Sequence, residues 1–223
     1  CQIIGDEDQL FSESYFKYHD YDYTIDDEGQ HFLTDGKEKR IPVNIFMGVD
    51  PASSIKKTAD YSVVMPIAVD VDNNRYVMPY YRKRATPMKL AESIIQYFKM
   101  YKPSKVRIES VGYQEMLREY LRTRCEEENI FISGLEIKES PRTSKSSRLE
   151  TMEPYFAQGK IHMKKDMLEL KDELLLYPRG KHDDLLDGMF YAMKGMYRPN
   201  HTEEVKPKRV DRVRKNTDSW KTA

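Results

Sequence analysis

The sequence lacks the features of several protein classes. It has two cysteines, Cys1 and Cys125, in 223 residues. These are too few for a disulfide framework or a thiolate zinc site, and this predicts a reducing compartment. No run approaches the roughly 18 to 20 uninterrupted apolar residues of a membrane span, and the acidic, tyrosine-rich start is unlike a signal peptide. We therefore expect a cytoplasmic protein with no membrane partner.

A glycine-rich phosphate cradle ending in Lys-Ser or Lys-Thr is also missing, so this chain by itself is not expected to hydrolyse ATP. The formal net charge is zero, and overall charge therefore does not indicate a polyanionic partner. Charge is nevertheless segregated, since residues 1–40 are mainly acidic and residues 198–223 mainly basic. Because the chain starts at Cys1 rather than Met, we expect it to be part of a longer protein.

Three regions are predicted along the chain. Residues 1–40 mix tyrosines with acidic residues and are interpreted as a linker or the tail of a preceding domain. Pro42 marks the entry to a main domain over residues 41–198, which is long enough to bury a substantial core. Residues 199–223 are basic, show no periodicity and are predicted to form a flexible tail.

The main domain begins with three β-type runs, over residues 43–49, 61–69 and 75–81, which are predicted to be antiparallel. Helical and strand patterns then alternate. The helices are expected after Thr86-Pro87, from Tyr113, around Pro154 as a kinked helix, from Met167 and from Asp183; the intervening strands are expected at residues 106–109 and 130–137. This order predicts an α/β fold with a mixed sheet and helices on both faces.

Acidic residues stand where these elements end or begin. Asp50 ends the first apolar run, Glu109 ends the run 106–109, and Asp183, Asp184 and Asp187 lie at the start of the last predicted helix. If the strands ending in Asp50 and Glu109 are parallel neighbours, their carboxyl ends open on the same edge of the sheet. The sequence therefore predicts that these carboxylates converge.

Converging carboxylates suit Mg²⁺ or Mn²⁺, because both ions prefer oxygen ligands. Two such ions about 3.5 to 4 Å apart can promote hydrolysis of a phosphodiester, by activating a water and stabilising the leaving oxygen. We predict that one ion, held by Asp50 and Asp184, activates the attacking water, and that a second, shared by Asp50 and Glu109, stabilises the departing 3′ oxygen. Each acid alone is more often a cap or turn residue. Convergence, and the cost of an unpaired charge on a buried strand, favour catalysis.

A basic segment precedes the kinked helix. It is predicted to hold DNA phosphates without reading bases, through Lys138, Arg142, Lys145 and Arg148. A solvated loop is the alternative interpretation. Two further residues are weaker candidates. His182 could ligate a metal or orient a water, and the alternative is an ordinary hydrogen-bonding role. Asp60 could support the metal site from outside, and the alternative is a role in a turn.

The motifs that carry these acids resemble the nuclease domain of tailed-phage terminase large subunits, over roughly residues 43–197. They are Gly48-Val49-Asp50-Pro51-Ala52, Asp60-Tyr61-Ser62, Ile108-Glu109-Ser110, Lys145 to Arg148, Gly159-Lys160-Ile161, Leu174, and Tyr177 to Gly188. The run from Pro178 to Asp187, with Gly180 and His182-Asp183-Asp184 inside it, is the most specific.

The resemblance implies an RNase H-like fold and an endodeoxyribonuclease that cuts concatemeric double-stranded viral DNA during packaging. It implies that Asp50, Glu109 and Asp184 ligate metal. Asp183 and Asp187 are neighbours of Asp184 and are further candidates for metal ligands, so the choice among the three aspartates stays open. The implied partners are an ATPase domain of the same polypeptide, the portal protein and the terminase small subunit, in the host cytoplasm and transiently at the procapsid portal. A Holliday-junction resolvase or transposase-like enzyme of the same fold, or a non-catalytic DNA-clamping or docking module, are the alternatives.

Overall fold

The computed structural model describes residues 10–37, 39–52, 61–110, 114–132, 135–139 and 144–200. These residues form a ten-stranded mixed sheet and six α-helices. The strands are β1 Lys17–Tyr18, β2 Asp22–Ile25, β3 His31–Thr34, β4 Arg40–Asp50, β5 Ser62–Asp70, β6 Arg75–Val77, β7 Tyr81–Lys83, β8 Lys105–Ser110, β9 Leu135–Glu139 and β10 Ile161–Met163. The helices are α1 Pro87–Tyr101, α2 Gln114–Glu127, α3 Lys145–Glu150, α4 Glu153–Ala157, α5 Leu168–Leu176 and α6 Asp184–Met193.

The centre of the sheet is the antiparallel pair β4 and β5, which runs from Val43 opposite Asp70 to Asp50 opposite Val63. The predicted antiparallel start of the domain is therefore confirmed. The third predicted strand is divided, because β6 and β7 both pair with β5 and are separated by Met78, Pro79 and Tyr80. A proline has no N–H to donate to a sheet, which explains the interruption.

β8 pairs with β4 in parallel, with Val49 opposite Ile108, and β9 extends this parallel part of the sheet beyond β8. The parallel pairing on which the expected approach of Asp50 to Glu109 depended is thus present. β9 begins at Leu135, later than the predicted start at residue 130. Residue 130 instead belongs to the turn that ends α2, since the Ile130 N–H donates to the Cys125 carbonyl at 2.8 Å.

Helices cover both faces of the sheet, as predicted. Alternate side chains of β5 point to opposite faces: Val63 and Met65 pack with helices α3 to α6, whereas Val64 packs with α1 and α2. The Thr86 side chain caps α1 by accepting a hydrogen bond from the Lys89 N–H at 3.3 Å. The predicted kinked helix is two short ones, α3 and α4, and Pro154 lies in the first turn of α4.

The N-terminal part of the described chain belongs to the same sheet. The hairpin β2–β3 pairs with β4, with Phe32 opposite Pro42, and β1 pairs with β10. The Phe11 side chain is fully buried against Phe156. The predicted boundary at residue 41 therefore falls inside a strand. The predicted tail lies outside the described residues from residue 201 onward, and none of the helices in the described part is long and apolar enough to cross a membrane.

Candidate metal centre

Three acidic side chains from three separate elements meet at one edge of the sheet. Asp50 ends β4, Glu109 lies near the end of β8, and Asp187 lies in the first turn of α6. Each offers one carboxylate oxygen, and these atoms all lie within 4.8 Å of one another. The three residues are 8%, 8% and 4% exposed, respectively. The predicted convergence of acidic groups on this edge is therefore present.

Two glycines allow α6 to approach the sheet closely enough to complete this group. A Cβ atom on Gly48 would lie 2.0 Å from the Gly188 carbonyl oxygen and 2.4 Å from the Ala192 nitrogen. A Cβ atom on Gly188 would lie 2.7 Å from Cγ1 of Val63. The α6 backbone consequently lies directly against β4 and β5. Asp187 precedes Gly188 and is carried to the sheet by this contact.

The electrostatics of the group favour a bound cation. Burial raises the pKa of Asp50 well above its usual range, and the charges of Asp187 and Glu109, a hydrogen bond with Glu109, and the charge of Asp184 raise it further. Burial also raises the pKa of Asp187, although Lys145 and Arg148 oppose this. A divalent cation would relieve the repulsion, and carboxylate oxygens are ligands that Mg²⁺ and Mn²⁺ prefer. The donor set therefore fits such an ion.

The other two aspartates of the cluster lie beside this group. Asp184 is 5% exposed, and its Oδ2 atom lies 3.7 Å from Nδ1 of His182 and 3.9 Å from Nη2 of Arg82. Asp183 is the N-cap residue of α6, and its Oδ1 atom forms an ion pair with Nζ of Lys145 at 2.7 Å. The geometry thus places Asp187 in the converging group, whereas the sequence had favoured Asp184 among the three aspartates. Asp187 precedes Gly188, whose carbonyl oxygen lies against Gly48.

Comparison with known proteins identifies the fold family. Residues 47–195 match the family described as the terminase RNaseH-like domain. The chain belongs to this family. No curated protein matches the sequence.

Solved structures agree with the assignment to the terminase family. The large terminase nuclease from thermophilic phage G20c superposes with a TM-score of 0.56 at 18% identity, over 85% of this chain and 99% of that one. The same nuclease with bound magnesium gives 0.54 at 19% identity, over 82% and 95%. The Thermus phage P74-26 large terminase nuclease domain gives 0.51 at 16% identity, over 82% and 93%. The RNase H-like fold is confirmed, and the family together with the buried acidic group supports a metal-dependent nuclease.

Two basic residues expected on DNA lie against the acids of this terminase domain. The Lys145 Nζ atom is 2.5 Å from Oδ2 of Asp187. Arg148 is 8% exposed, and its Nη1 atom lies 3.2 Å from Oε1 of Glu109 and 3.8 Å from Oδ1 of Asp187. Their charges therefore neutralise part of the carboxylate group, and Arg148 is too buried to lie on a DNA-binding surface.

The remaining sequence-predicted residues are placed as follows. The backbone of Lys138 pairs with that of Glu109 in the β8–β9 ladder. Arg142 and Asp60 lie outside the described residues. His182 contacts Asp184 and the edge of the Tyr61 ring, whose centroid is 5.2 Å from its own. His182 is thus a neighbour of Asp184 and does not join the group of Asp50.

Sequence reasoning missed Tyr191, Arg82 and Glu173. The Tyr191 hydroxyl donates to Oε1 of Glu109 at 2.7 Å. Glu173, on α5, accepts from the Leu185 N–H at 2.9 Å and from Nη2 of Arg82 at 2.8 Å, and so ties the start of α6 to α5 and β7. Tyr191 follows Asp187 by four residues, which places both on one helix face. That spacing was a usable signal, whereas nothing in the sequence distinguishes Glu173 from a surface acid.

Proposed function

We propose that this terminase domain is an endonuclease that hydrolyses phosphodiester bonds of double-stranded DNA with the help of divalent cations. The observation that carries this proposal is the buried meeting of Asp50, Glu109 and Asp187 in a chain of the terminase RNaseH-like family. Caps and turns account poorly for such a group, because burying several carboxylates together is costly unless a cation compensates them.

Asp50, Glu109 and Asp187 would hold the cations, which we propose to be two ions of Mg²⁺ or Mn²⁺, with Asp184 as an adjoining acid. Such ions activate a water for in-line attack and stabilise the departing 3′ oxygen when bound. The protein contributes the rigid placement of the carboxylates, since two of them lie on paired strands and the third on a helix held by the Gly48 contact. Arg148 limits the charge that accumulates around Glu109 and Asp187.

We infer that DNA approaches from the side of Lys145. Its side chain is 39% exposed, and its ammonium group contacts Asp183 and Asp187. Lys138 and Arg142 belong to the same stretch of sequence and are proposed to join it on the phosphates. Contacts to phosphates position a duplex without reading its bases. Cleavage with little sequence preference is therefore expected.

The biological setting is proposed from the family. The substrate would be concatemeric viral DNA cut during genome packaging in the host cytoplasm, transiently at the procapsid portal. An ATPase domain of the same polypeptide would drive DNA movement, and the portal protein and the terminase small subunit would be further partners. Tethering to such a domain would raise the effective concentration of DNA at the nuclease, so the isolated nuclease is expected to be weaker.

The decisive experiment is nicking of supercoiled plasmid in Mn²⁺ by Asp50→Asn. Activity should fall by at least roughly 10³-fold, because a shared metal ligand is lost. Asp70→Asn is the matched control, since Asp70 is a buried aspartate that ends the neighbouring strand β5. The control should retain activity at a temperature where it is folded.

Three outcomes would contradict the proposal. Normal nicking by Asp50→Asn would remove Asp50 from the mechanism. A strong preference for a four-way junction over a linear duplex would instead indicate a resolvase. Failure of calorimetry to detect Mn²⁺ binding that depends on Asp50 would indicate a docking or DNA-clamping module.

A further inference from the structure

Two side chains hold the carboxylate of Glu109 from the face of α6 and α3. The Tyr191 hydroxyl donates to Oε1 of Glu109 at 2.7 Å, and Nη1 of Arg148 donates to the same oxygen at 3.2 Å. Nη1 of Arg148 also donates to the Tyr191 hydroxyl oxygen at 3.0 Å. The three groups form a closed triangle of hydrogen bonds.

All three residues of this triangle are buried. Tyr191 is 2% exposed, and Arg148 and Glu109 are each 8% exposed. Because both donors use one oxygen of Glu109, they restrict rotation of the carboxylate about its last torsion. Hydrogen bonds in which one group is ionised are also shorter and stronger than neutral ones. These two neighbours therefore help to fix the orientation of the Glu109 carboxylate.

The arrangement links two of the proposed metal ligands through one helix. Asp187 and Tyr191 are four residues apart and share a face of α6. Arg148 reaches both Glu109 and Asp187, at 3.2 and 3.8 Å. The helix that supplies one ligand thus also supplies the donor that orients another ligand, on β8.

We propose that Tyr191 and Arg148 are positioning residues that set the affinity of the carboxylate group for divalent cations by fixing Glu109. This inference rests on the proposed function, because it requires that Asp50, Glu109 and Asp187 bind the cation. Loss of a hydrogen-bonding partner behind a metal ligand typically lowers metal affinity by roughly 10 to 100-fold. Tyr191→Phe, which removes one hydroxyl and keeps the ring, should show a loss of this size.

A second tyrosine in the same chain provides a matched control. The Tyr76 hydroxyl donates to Oδ2 of the buried Asp70 at 2.9 Å, and Tyr76 is 4% exposed. Tyr76→Phe therefore removes the same kind of hydrogen bond from a carboxylate outside the converging group. If Tyr191 had a structural role alone, both variants would lower the melting temperature and neither would change metal binding.

The test is calorimetric titration of Mn²⁺ into the whole chain, with thermal unfolding measured in parallel. Tyr191→Phe should weaken Mn²⁺ binding by roughly 10 to 100-fold, and Tyr76→Phe should change it by less than about twofold. Arg148→Lys keeps the positive charge, but the lysine ammonium lies one bond nearer the backbone than Nη1, the atom that contacts Glu109, Tyr191 and Asp187. It should also weaken binding, and it serves as the test if Tyr191→Phe does not fold.

The outcomes separate this inference from the proposed function. Wild-type affinity in both Tyr191→Phe and Arg148→Lys, together with loss of binding in Asp50→Asn, would overturn the positioning role and leave the nuclease proposal intact. If the wild-type chain binds no Mn²⁺ through Asp50, the proposed function fails and this inference fails with it. An equal loss of affinity in Tyr76→Phe would show that the effect is general loosening of the fold, which also overturns the inference.

Discussion

Asp50 and Asp70 are the last residues of the two long central strands, β4 and β5, and they lie at opposite ends of the same antiparallel ladder. Both are buried, at 8% and 3% exposure. Both end an apolar run in the sequence. The two positions are therefore similar in residue type, local structure and burial, and they differ in what surrounds them.

Asp70 is surrounded by hydrogen-bond donors from the turn that follows it and from the start of β6. Its carboxylate accepts hydrogen bonds from the N–H groups of Asp72 and Asn74 at 2.9 and 2.8 Å, from the Asn74 side-chain amide at 2.8 Å and from the Tyr76 hydroxyl at 2.9 Å. Asp50 is surrounded by carboxylates, which with burial raise its pKa. A buried acid whose donors are supplied locally stabilises a turn, whereas one that faces other acids is suited to hold a cation.

After the loss expected for Asp50→Asn, the next largest effect concerns which aspartates of α6 belong with Asp50. Asp187→Asn should reduce nicking in Mn²⁺ by roughly 100-fold or more, because it removes a carboxylate of the converging group. Asp183→Asn should lower the nicking rate by no more than a few-fold, because the Asp183 side chain is 34% exposed and lies outside the converging group. Plasmid nicking under identical conditions measures both.

The contrary result is equally specific. If Asp184→Asn abolishes nicking while Asp187→Asn retains it, the cation is held nearer the start of α6. That is the arrangement predicted from the sequence, and the geometric preference for Asp187 would then be wrong.

A smaller effect is expected on the free energy of unfolding in the absence of metal. Replacing the aspartate by asparagine should change it in opposite directions at Asp50 and Asp70. Asp70→Asn should destabilise the protein by about 1.5 to 3 kcal/mol, because charge-assisted hydrogen bonds are lost. Asp50→Asn should stabilise it, because repulsion with Glu109 and Asp187 is relieved, and a gain of about 1 kcal/mol would raise the melting temperature by about 2 to 4 °C. Thermal unfolding in EDTA measures both. A lower melting temperature in both variants would contradict the distinction drawn between the surroundings of Asp50 and those of Asp70.

The last prediction concerns Glu173, whose surroundings combine those of Asp70 and Asp50: hydrogen-bond donors, and the nearby acids Asp183 and Asp184. Burial raises its pKa from 4.5 to about 7, although Arg82 and the Leu185 N–H oppose the rise. Between these values the folded state binds more protons than the unfolded state, so this carboxyl makes stability fall as pH increases from 4.5 to about 7.

Glu173→Gln should therefore remove part of that decline. The melting temperature of the variant, relative to wild type, should rise across this interval by a few degrees, at about 2 to 4 °C per kcal/mol. Thermal unfolding at matched ionic strength tests this. A difference that stays constant with pH would show that Glu173 is ionised throughout, as its contact with Arg82 alone would favour.

Much of the site followed from local patterns. Apolar runs of strand length, a Thr-Pro helix start and the acids at the ends of two runs predicted the mixed sheet and the proximity of Asp50 to Glu109. These features depend on backbone preferences and on the alternation of side chains, which nearby residues control. The family resemblance rested on the same motifs and is confirmed.

Other features depended on contacts between distant segments. The rotation and depth of α6, which bring Asp187 to Asp50, depend on its contact with Gly48, more than a hundred residues earlier. The burial of Arg148 against Glu109 and the inclusion of the β2–β3 hairpin in the sheet are likewise tertiary.

The sequence by itself determined the class of chemistry, because carboxylates at strand ends limit what can bind there. It could not determine which acids share a ligand and which complete a turn. Asp50 and Asp70 look alike along the chain, and only the folded structure surrounds one with acids and the other with donors. The physical reason is that the free energy of a buried charge depends on its neighbours in space, and packing between distant segments decides which neighbours it has.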